Sequence, residues 1–122
     1  MPLNMLTRQV IGCAMRVSSS LGCGFLEKVY ENALIYEIRK HDLPCAQQVP
    51  LKVRYDGVVV GDYTADLLVD ERLLLELKAA TAIDKIHMAQ TLNYLRATDL
   101  RIGLTLNFGK PKLEVKRVVH GL

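Results

Sequence analysis

The chain has 122 residues, 50% of them hydrophobic, and a formal net charge of +3. This length supports one globular domain over residues 1–122, and no apolar run approaches the ~20 residues that a membrane-spanning helix needs. The small positive charge is compatible with a polyanionic partner but does not argue for one, and the low aromatic content argues against a base-stacking platform.

The cysteines and the N-terminal residues indicate the cellular compartment in which we expect the protein. Cys13, Cys23 and Cys45 are an odd number and lack the spacing of a metal site. Reduced thiols in a cytoplasmic protein explain them better than a disulfide framework does. The N-terminus lacks a basic region followed by an apolar stretch, so we expect no signal peptide and a cytoplasmic location without a membrane partner.

Two helices are predicted at the start of the chain. Apolar residues repeat at helical spacing over residues 3–20, and the serine and glycine residues at 18–24 end this helix. A second helix runs from about Phe25 to Lys40. Glu27 falls in its first turn, where the positive end of the helix dipole favours a carboxylate.

Three strands are predicted next. Apolar and polar residues alternate over residues 49–55, and Asp56-Gly57 is a strong hairpin signal. The second strand begins at Val58, is expected to bulge at Gly61-Asp62 and continues through Asp66. A tight turn at Asp70-Glu71-Arg72 then leads into the strand that carries Glu76.

The last third of the chain is predicted to hold a helix from Thr81 to Ala97, a strand over residues 102–108 and an edge strand over residues 113–119. The resulting order is α-α-β-β-β-α-β-β. The fold class is therefore α/β, with a mixed sheet flanked by helices.

Three charged residues interrupt the apolar stretch from Tyr63 to Ala79: Asp66, Glu76 and Lys78. A three-residue turn places Asp66 directly opposite Glu76, and strict alternation puts all three on one face of the hairpin. The opposite face would then hold the apolar alternates, Tyr63, Ala65, Leu67, Val69, Leu73, Leu75, Leu77 and Ala79.

Opposed like charges destabilise a sheet, so this pattern predicts a raised carboxyl pKa and a compensating cation. Carboxylate oxygens suit Mg²⁺ or Mn²⁺. The competing interpretation is an ordinary solvated face of an antiparallel hairpin.

Asp66, Glu76-x-Lys78 and a following helix that bears Gln90 resemble the PD-(D/E)XK nuclease superfamily, although Ala65 stands where the signature has proline. The segment from Gln90 to Tyr94 is similar to the Q-x-x-x-Y element of its RecB-like branch. Residues 24–30, GFLEKVY, resemble the G-x-x-E-x-x-Y signature of the GxxExxY protein family. The resemblance covers nearly the whole chain and implies a restriction-endonuclease-like core.

The resemblance implies a Mg²⁺- or Mn²⁺-dependent nuclease. Asp66 and Glu76 would hold the cation with the Leu77 backbone carbonyl, and Glu27 would be a direct or outer-sphere ligand. Lys78 would position the attacking water or neutralise charge on the phosphate. Taken alone, Glu27 is an ordinary first-turn glutamate.

Three residues have supporting roles in this interpretation. Gln90 would orient Lys78 or a phosphate oxygen, although a polar position on an amphipathic helix also accounts for it. Tyr30 and Tyr94 are expected behind the ligands, as packing aromatics with bonded hydroxyl groups.

Nucleic acid, with DNA favoured, is the partner that the resemblance implies. Two other functions stay open: a non-enzymatic interaction protein that keeps the fold, and a module that supplies activity to a partner protein. The edge strand over residues 113–119 could also pair two copies in a homodimer.

Overall fold

The computed structural model describes residues 1–121, which form three helices and five strands. Their bounds are α1 Leu3–Leu21, α2 Glu27–Lys40, β1 Cys45–Tyr55, β2 Val58–Val69, β3 Leu73–Lys78, α3 Lys85–Thr98, β4 Ile102–Asn107 and β5 Glu114–Val119. The predicted α/β order is confirmed.

The five strands form one mixed sheet in the order β1-β2-β3-β4-β5. Only β3 and β4, which α3 connects, run parallel within the described chain; the other neighbours are antiparallel. β5 lies at an edge of the sheet, as predicted. Helices α1 and α2 cover one face over the larger apolar core, and α3 covers the other face over a smaller one.

Both predicted turns are present. Asp56 and Gly57 have φ of 51° and 78°, and Asp70 and Glu71 have φ of 52° and 57°, so each tight turn uses the left-handed region. Such turns match the right-handed twist of the flanking strands. The predicted bulge is displaced: β1 pairs with Gly61 and then Val59, which leaves out Val60 rather than Gly61-Asp62.

Helix α3 begins four residues later than predicted because Asp84 caps it. The Asp84 carboxylate accepts the backbone N–H of His87, and His87 Nδ1 accepts the backbone N–H of Asp84. The side chain of Asn107 holds the preceding loop through hydrogen bonds to both backbone groups of Ala80. A Cβ at Gly109 would collide with the Ala80 carbonyl, so only glycine permits this close approach.

An interruption in the pairing of β1 with β2 shapes the site. The two strands keep their register but leave out the opposed residues Gln48 and Asp66. Gln48 has a φ of 55°, which lies in the left-handed region rather than in the strand region. The pleat therefore breaks at this point in both strands.

The break reverses the face of the sheet on which alternate side chains of the strand lie. Leu67 packs in the core under α1 and α2, whereas Ala65 packs in the core under α3. The Tyr63 ring likewise lies 5.5 Å from that of Tyr94 on α3. The expectation that Tyr63 and Ala65 share a face with Leu67 is wrong, because alternation holds only while the pleat is continuous.

Candidate active site

Asp66 lies where β2 separates from β3. The paired residues end at Leu67 and Leu75, and the same register places Asp66 opposite Glu76. Beyond the last pair, Asp66 Oδ2 accepts a hydrogen bond from the Leu77 backbone N–H at 2.8 Å. The carboxylate thus takes the place of a main-chain partner at the opening between the two strands.

Glu76 is buried beside Asp66. Its side chain belongs to a residue only 5% exposed, and Oε1 has no hydrogen-bond partner among residues 1–121. Burial, and secondly the charge of Asp66, raise the pKa of Glu76 to about 9. Burial also raises the pKa of Asp66, against the opposing effect of the Leu77 N–H. The predicted raised pKa is confirmed, but burial contributes more than the like charge does.

A hydrogen-bonded chain joins Lys78 to α3. Lys78 Nζ donates to Gln90 Oε1 at 3.3 Å, and Gln90 Nε2 donates to the Tyr94 hydroxyl at 3.1 Å. Burial, followed by the charge of Glu76, raises the pKa of Tyr94. Gln90 on α3 therefore positions the ammonium group of Lys78. This contact lies on the α3 side of the sheet, where the charge of Glu76 acts on the Tyr94 hydroxyl.

Helix α2 contributes a carboxylate that the sequence analysis missed. Glu31 is 4% exposed and accepts hydrogen bonds from Lys28 at 2.8 Å and Gln48 at 2.9 Å, as well as from Gln47. Burial opposes its ionisation, but these hydrogen bonds outweigh burial and lower the pKa of Glu31. Its charge in turn raises the pKa of Asp66.

Glu27 lies one turn before Glu31 and is exposed. Both line an open depression with Asp66. Within the described chain, however, Glu27, Asp66 and Glu76 do not bring three ligand atoms within 4.8 Å of one another. The i, i+4 spacing of Glu27 and Glu31 was the signal that could have identified Glu31, since such residues share a helix face.

A family model described as the PD-(D/E)XK nuclease superfamily matches residues 4–118. The chain belongs to the PD-(D/E)XK nuclease superfamily. No curated protein and no solved structure matches the chain. Membership of the narrower GxxExxY family stays a prediction. Within residues 1–121, no helix combines the length and hydropathy that a membrane crossing requires.

Members of this superfamily generally use divalent metal ions, and the donor atoms here fit one. Glu76 Oε1 is buried and lacks a partner in the described part of the chain, next to a second carboxylate. Carboxylate oxygens are the ligands of Mg²⁺ and Mn²⁺. A bound cation would favour the ionised forms that burial opposes.

Tyr30 stabilises the loop that leads to Glu27. Its hydroxyl donates to the Gly22 carbonyl at 2.6 Å and accepts the Phe25 backbone N–H at 3.2 Å. Its ring stacks on Phe108, with centroids 4.8 Å apart. Tyr30 thus ties the connection between α1 and α2 to the end of β4.

A second group of metal-capable side chains lies between α1 and α2. Cys13, Glu37 and His41 have ligand atoms within 4.8 Å of one another. The Arg16 guanidinium lies against all three, at 3.5 Å from Cys13 Sγ, 3.4 Å from Glu37 Oε2 and 2.9 Å from His41 Nε2. A cation of the protein thus already contacts every member of this group directly.

Proposed function

We propose that this protein is a Mg²⁺- or Mn²⁺-dependent nuclease that hydrolyses phosphodiester bonds of nucleic acid. The observation that carries the proposal is the buried Glu76 carboxylate beside Asp66, with an oxygen that lacks a partner in residues 1–121. A solvated sheet face would leave both carboxylates in water, where neither pKa would be raised by burial. Superfamily membership supports the same conclusion.

In this proposal Asp66, Glu76 and the Leu77 carbonyl hold the cation. In an antiparallel pair, the N–H and C=O of one residue point towards the same neighbouring strand. Because the Leu77 N–H bonds to Asp66, this strand geometry would direct the Leu77 carbonyl to the same side. When bound, the cation lowers the pKa of a coordinated water and polarises a phosphate oxygen. Glu27 would bind through water from the open depression.

Lys78 supplies positive charge to the reacting phosphate. Gln90 accepts a hydrogen bond from the ammonium and leaves Lys78 further N–H groups for a phosphate oxygen or the attacking water. Preorganised charge of this kind stabilises the transition state without reorganisation during the reaction. Tyr94, bonded to Gln90, fixes the amide that positions Lys78.

We also propose a substrate, a domain and a cellular location for the reaction. Nucleic acid is the substrate, with DNA as the first expectation, and the site belongs to a single domain over residues 1–122. Three free cysteines agree with a reducing cytoplasmic location. Pairing of two copies through β5, or an accompanying partner protein, stays a prediction.

Cleavage by purified protein tests the proposal. Supercoiled plasmid, single-stranded DNA and RNA are incubated with wild type, Glu76→Gln and the matched control Glu71→Gln, in Mg²⁺, Mn²⁺ or EDTA. Glu71 is an exposed carboxylate at the turn of the same hairpin. We expect metal-dependent cleavage by wild type and the control, and a loss of about 10²-fold or more in Glu76→Gln.

Two outcomes would overturn the proposal. Equal cleavage by wild type and Glu76→Gln would identify a contaminating nuclease. Folded wild-type protein that cleaves none of the three substrates with either ion would favour the interaction-protein alternative.

A further inference from the structure

A groove of about 900 Å³ lies between the β1–β2 hairpin and α3. Lys52 and Arg54 lie on the hairpin side, and Asn93 and Arg96 lie on the helix side. The contact between the rings of Tyr63 and Tyr94 joins the two sides. We propose that this groove binds single-stranded nucleic acid and directs it to the active site, an inference that rests on the proposed function.

The charge of the groove complements a phosphate backbone. Its lining within the described chain includes Lys52, Arg54 and Arg96 and no acidic side chain. Lys52 pairs with Asp62 at 3.0 Å, but both partners are exposed, so this ion pair costs little to exchange for a phosphate. No carboxylate in residues 1–121 lies within 4.0 Å of the Arg54 or Arg96 guanidinium.

The apolar part of the groove favours unpaired bases over a duplex. Tyr63 is 49% exposed, Val60 60% and Ile86 76%, and all three line the groove. Unstacked bases present flat apolar faces to such side chains, whereas a duplex hides its base faces in the stack. The low aromatic content of the chain thus does not exclude stacking on a single placed ring.

The size of the groove points the same way. Its volume is that of a small-molecule pocket, which accommodates a few nucleotides of one strand. A duplex keeps its base faces stacked inside and presents only base edges in its grooves, so it would not fill this groove with unstacked bases.

Gln90 connects the groove to the reacting centre. It lines the groove and also bonds to Lys78. A phosphate held at the Gln90 end of the groove would therefore have the next phosphate along the strand within reach of Lys78. The single strand would follow the groove from Arg54 and Arg96 towards the divergence of β2 and β3.

Binding measured apart from cleavage tests the inference. Fluorescence anisotropy is recorded with the 122-residue Glu76→Gln protein and labelled oligothymidylate of about 20 nucleotides, or a duplex of equal length. In this background Arg54→Ala/Arg96→Ala and Tyr63→Ala are compared with Arg8→Ala, which removes an exposed cation from α1. Thermal melts establish that each variant is folded.

We expect the single strand to bind at least about tenfold more tightly than the duplex. The double arginine variant should lose about tenfold or more, and its plot of log K against log salt should be shallower by about 1.4. Tyr63→Ala should lose about tenfold for the single strand alone. Arg8→Ala should bind as its parent does.

The outcomes distinguish a failure of the groove inference from a failure of the proposed nuclease function. Equal or tighter duplex binding, or a double arginine variant that binds as Arg8→Ala does, would overturn the groove inference, even if wild type cleaves nucleic acid. Groove-dependent binding of the single strand by a wild type that never hydrolyses it would support the groove and overturn the proposed function instead.

Discussion

Asp66 Oδ2 accepts the backbone N–H of Leu77 at 2.8 Å, across the opening between β2 and β3. This hydrogen bond satisfies a donor that strand pairing leaves without a main-chain partner. It also occupies one carboxylate oxygen of Asp66, a group that interacts with Glu76 closely enough to raise the pKa of that residue. Asp66 would thus combine this structural hydrogen bond with the proposed binding of a metal ion.

Two substitutions at Asp66 separate these roles. Asp66→Asn keeps an oxygen for the Leu77 N–H but removes a carboxylate whose ionisation burial opposes, so the metal-free protein should gain about 1 kcal/mol in free energy of unfolding. Asp66→Ala also removes the acceptor and should lose about 1–3 kcal/mol. Urea unfolding in EDTA at pH 8 measures both. A loss of stability in Asp66→Asn equal to that in Asp66→Ala would contradict this assignment.

The pKa of Glu76 predicts how the stability of the metal-free protein depends on pH. Its value is about 9 in the folded state and about 4.3 in the unfolded chain, so between these values the folded state binds more protons. The free energy of unfolding should therefore be highest below pH about 4.3 for this group and fall as pH rises towards 9.

Denaturant unfolding across that range measures the dependence. Glu76→Gln should flatten the decline, because glutamine does not titrate, while Glu71→Gln should retain it. If Glu76→Gln showed the same decline as wild type, the titrating group would have to lie elsewhere.

Part of this site could be predicted from the sequence because it depends on local geometry. A three-residue turn fixes the register of β2 with β3, and that register alone brings Asp66 opposite Glu76. Gln90 and Tyr94 are one turn apart on α3, so they share a face whatever the rest of the fold does. Their connection to Lys78 then needs only that α3 pack on the sheet.

The remainder depends on contacts between distant segments. Nothing in the sequence marks Gln48 for the left-handed conformation that it adopts. This conformation nevertheless changes which face of the sheet the side chains of β1 and β2 occupy. Glu31 becomes important because α2 packs beside Gln48 and Asp66. The late start of α3 was missed because histidine, rather than glutamate or glutamine, completes the capping box with Asp84.

Divalent cations should stabilise wild type through the same carboxylates. Mn²⁺ at a hundredfold excess over its dissociation constant should add about 2.7 kcal/mol to the free energy of unfolding. Glu76→Gln should gain much less because one ionisable ligand is gone, whereas the exposed control Glu71→Gln should gain as much as wild type. Thermal melts with EDTA and with Mn²⁺ measure the shift. An equal shift in wild type and Glu76→Gln would place the cation at another site.

Lys78 and Gln90 should act as a unit in cleavage. Lys78→Ala should remove most activity, and Gln90→Ala should lower the cleavage rate by about 10–100-fold because the ammonium loses its positioning bond. The double variant should be little worse than Lys78→Ala alone, as is usual for groups that serve one transition state. Single-turnover rates at saturating Mn²⁺ measure this. Fully additive losses would show that Gln90 acts independently of Lys78.

A crystal structure of the wild-type protein with Mn²⁺, in which anomalous diffraction locates the ion, tests most directly whether Asp66 and Glu76 bind a metal. We predict an anomalous peak coordinated by the carboxylates of Asp66 and Glu76, with the Leu77 carbonyl as a further ligand. A peak only at the group of Cys13, Glu37 and His41, with Glu76 still lacking a partner, would contradict this prediction.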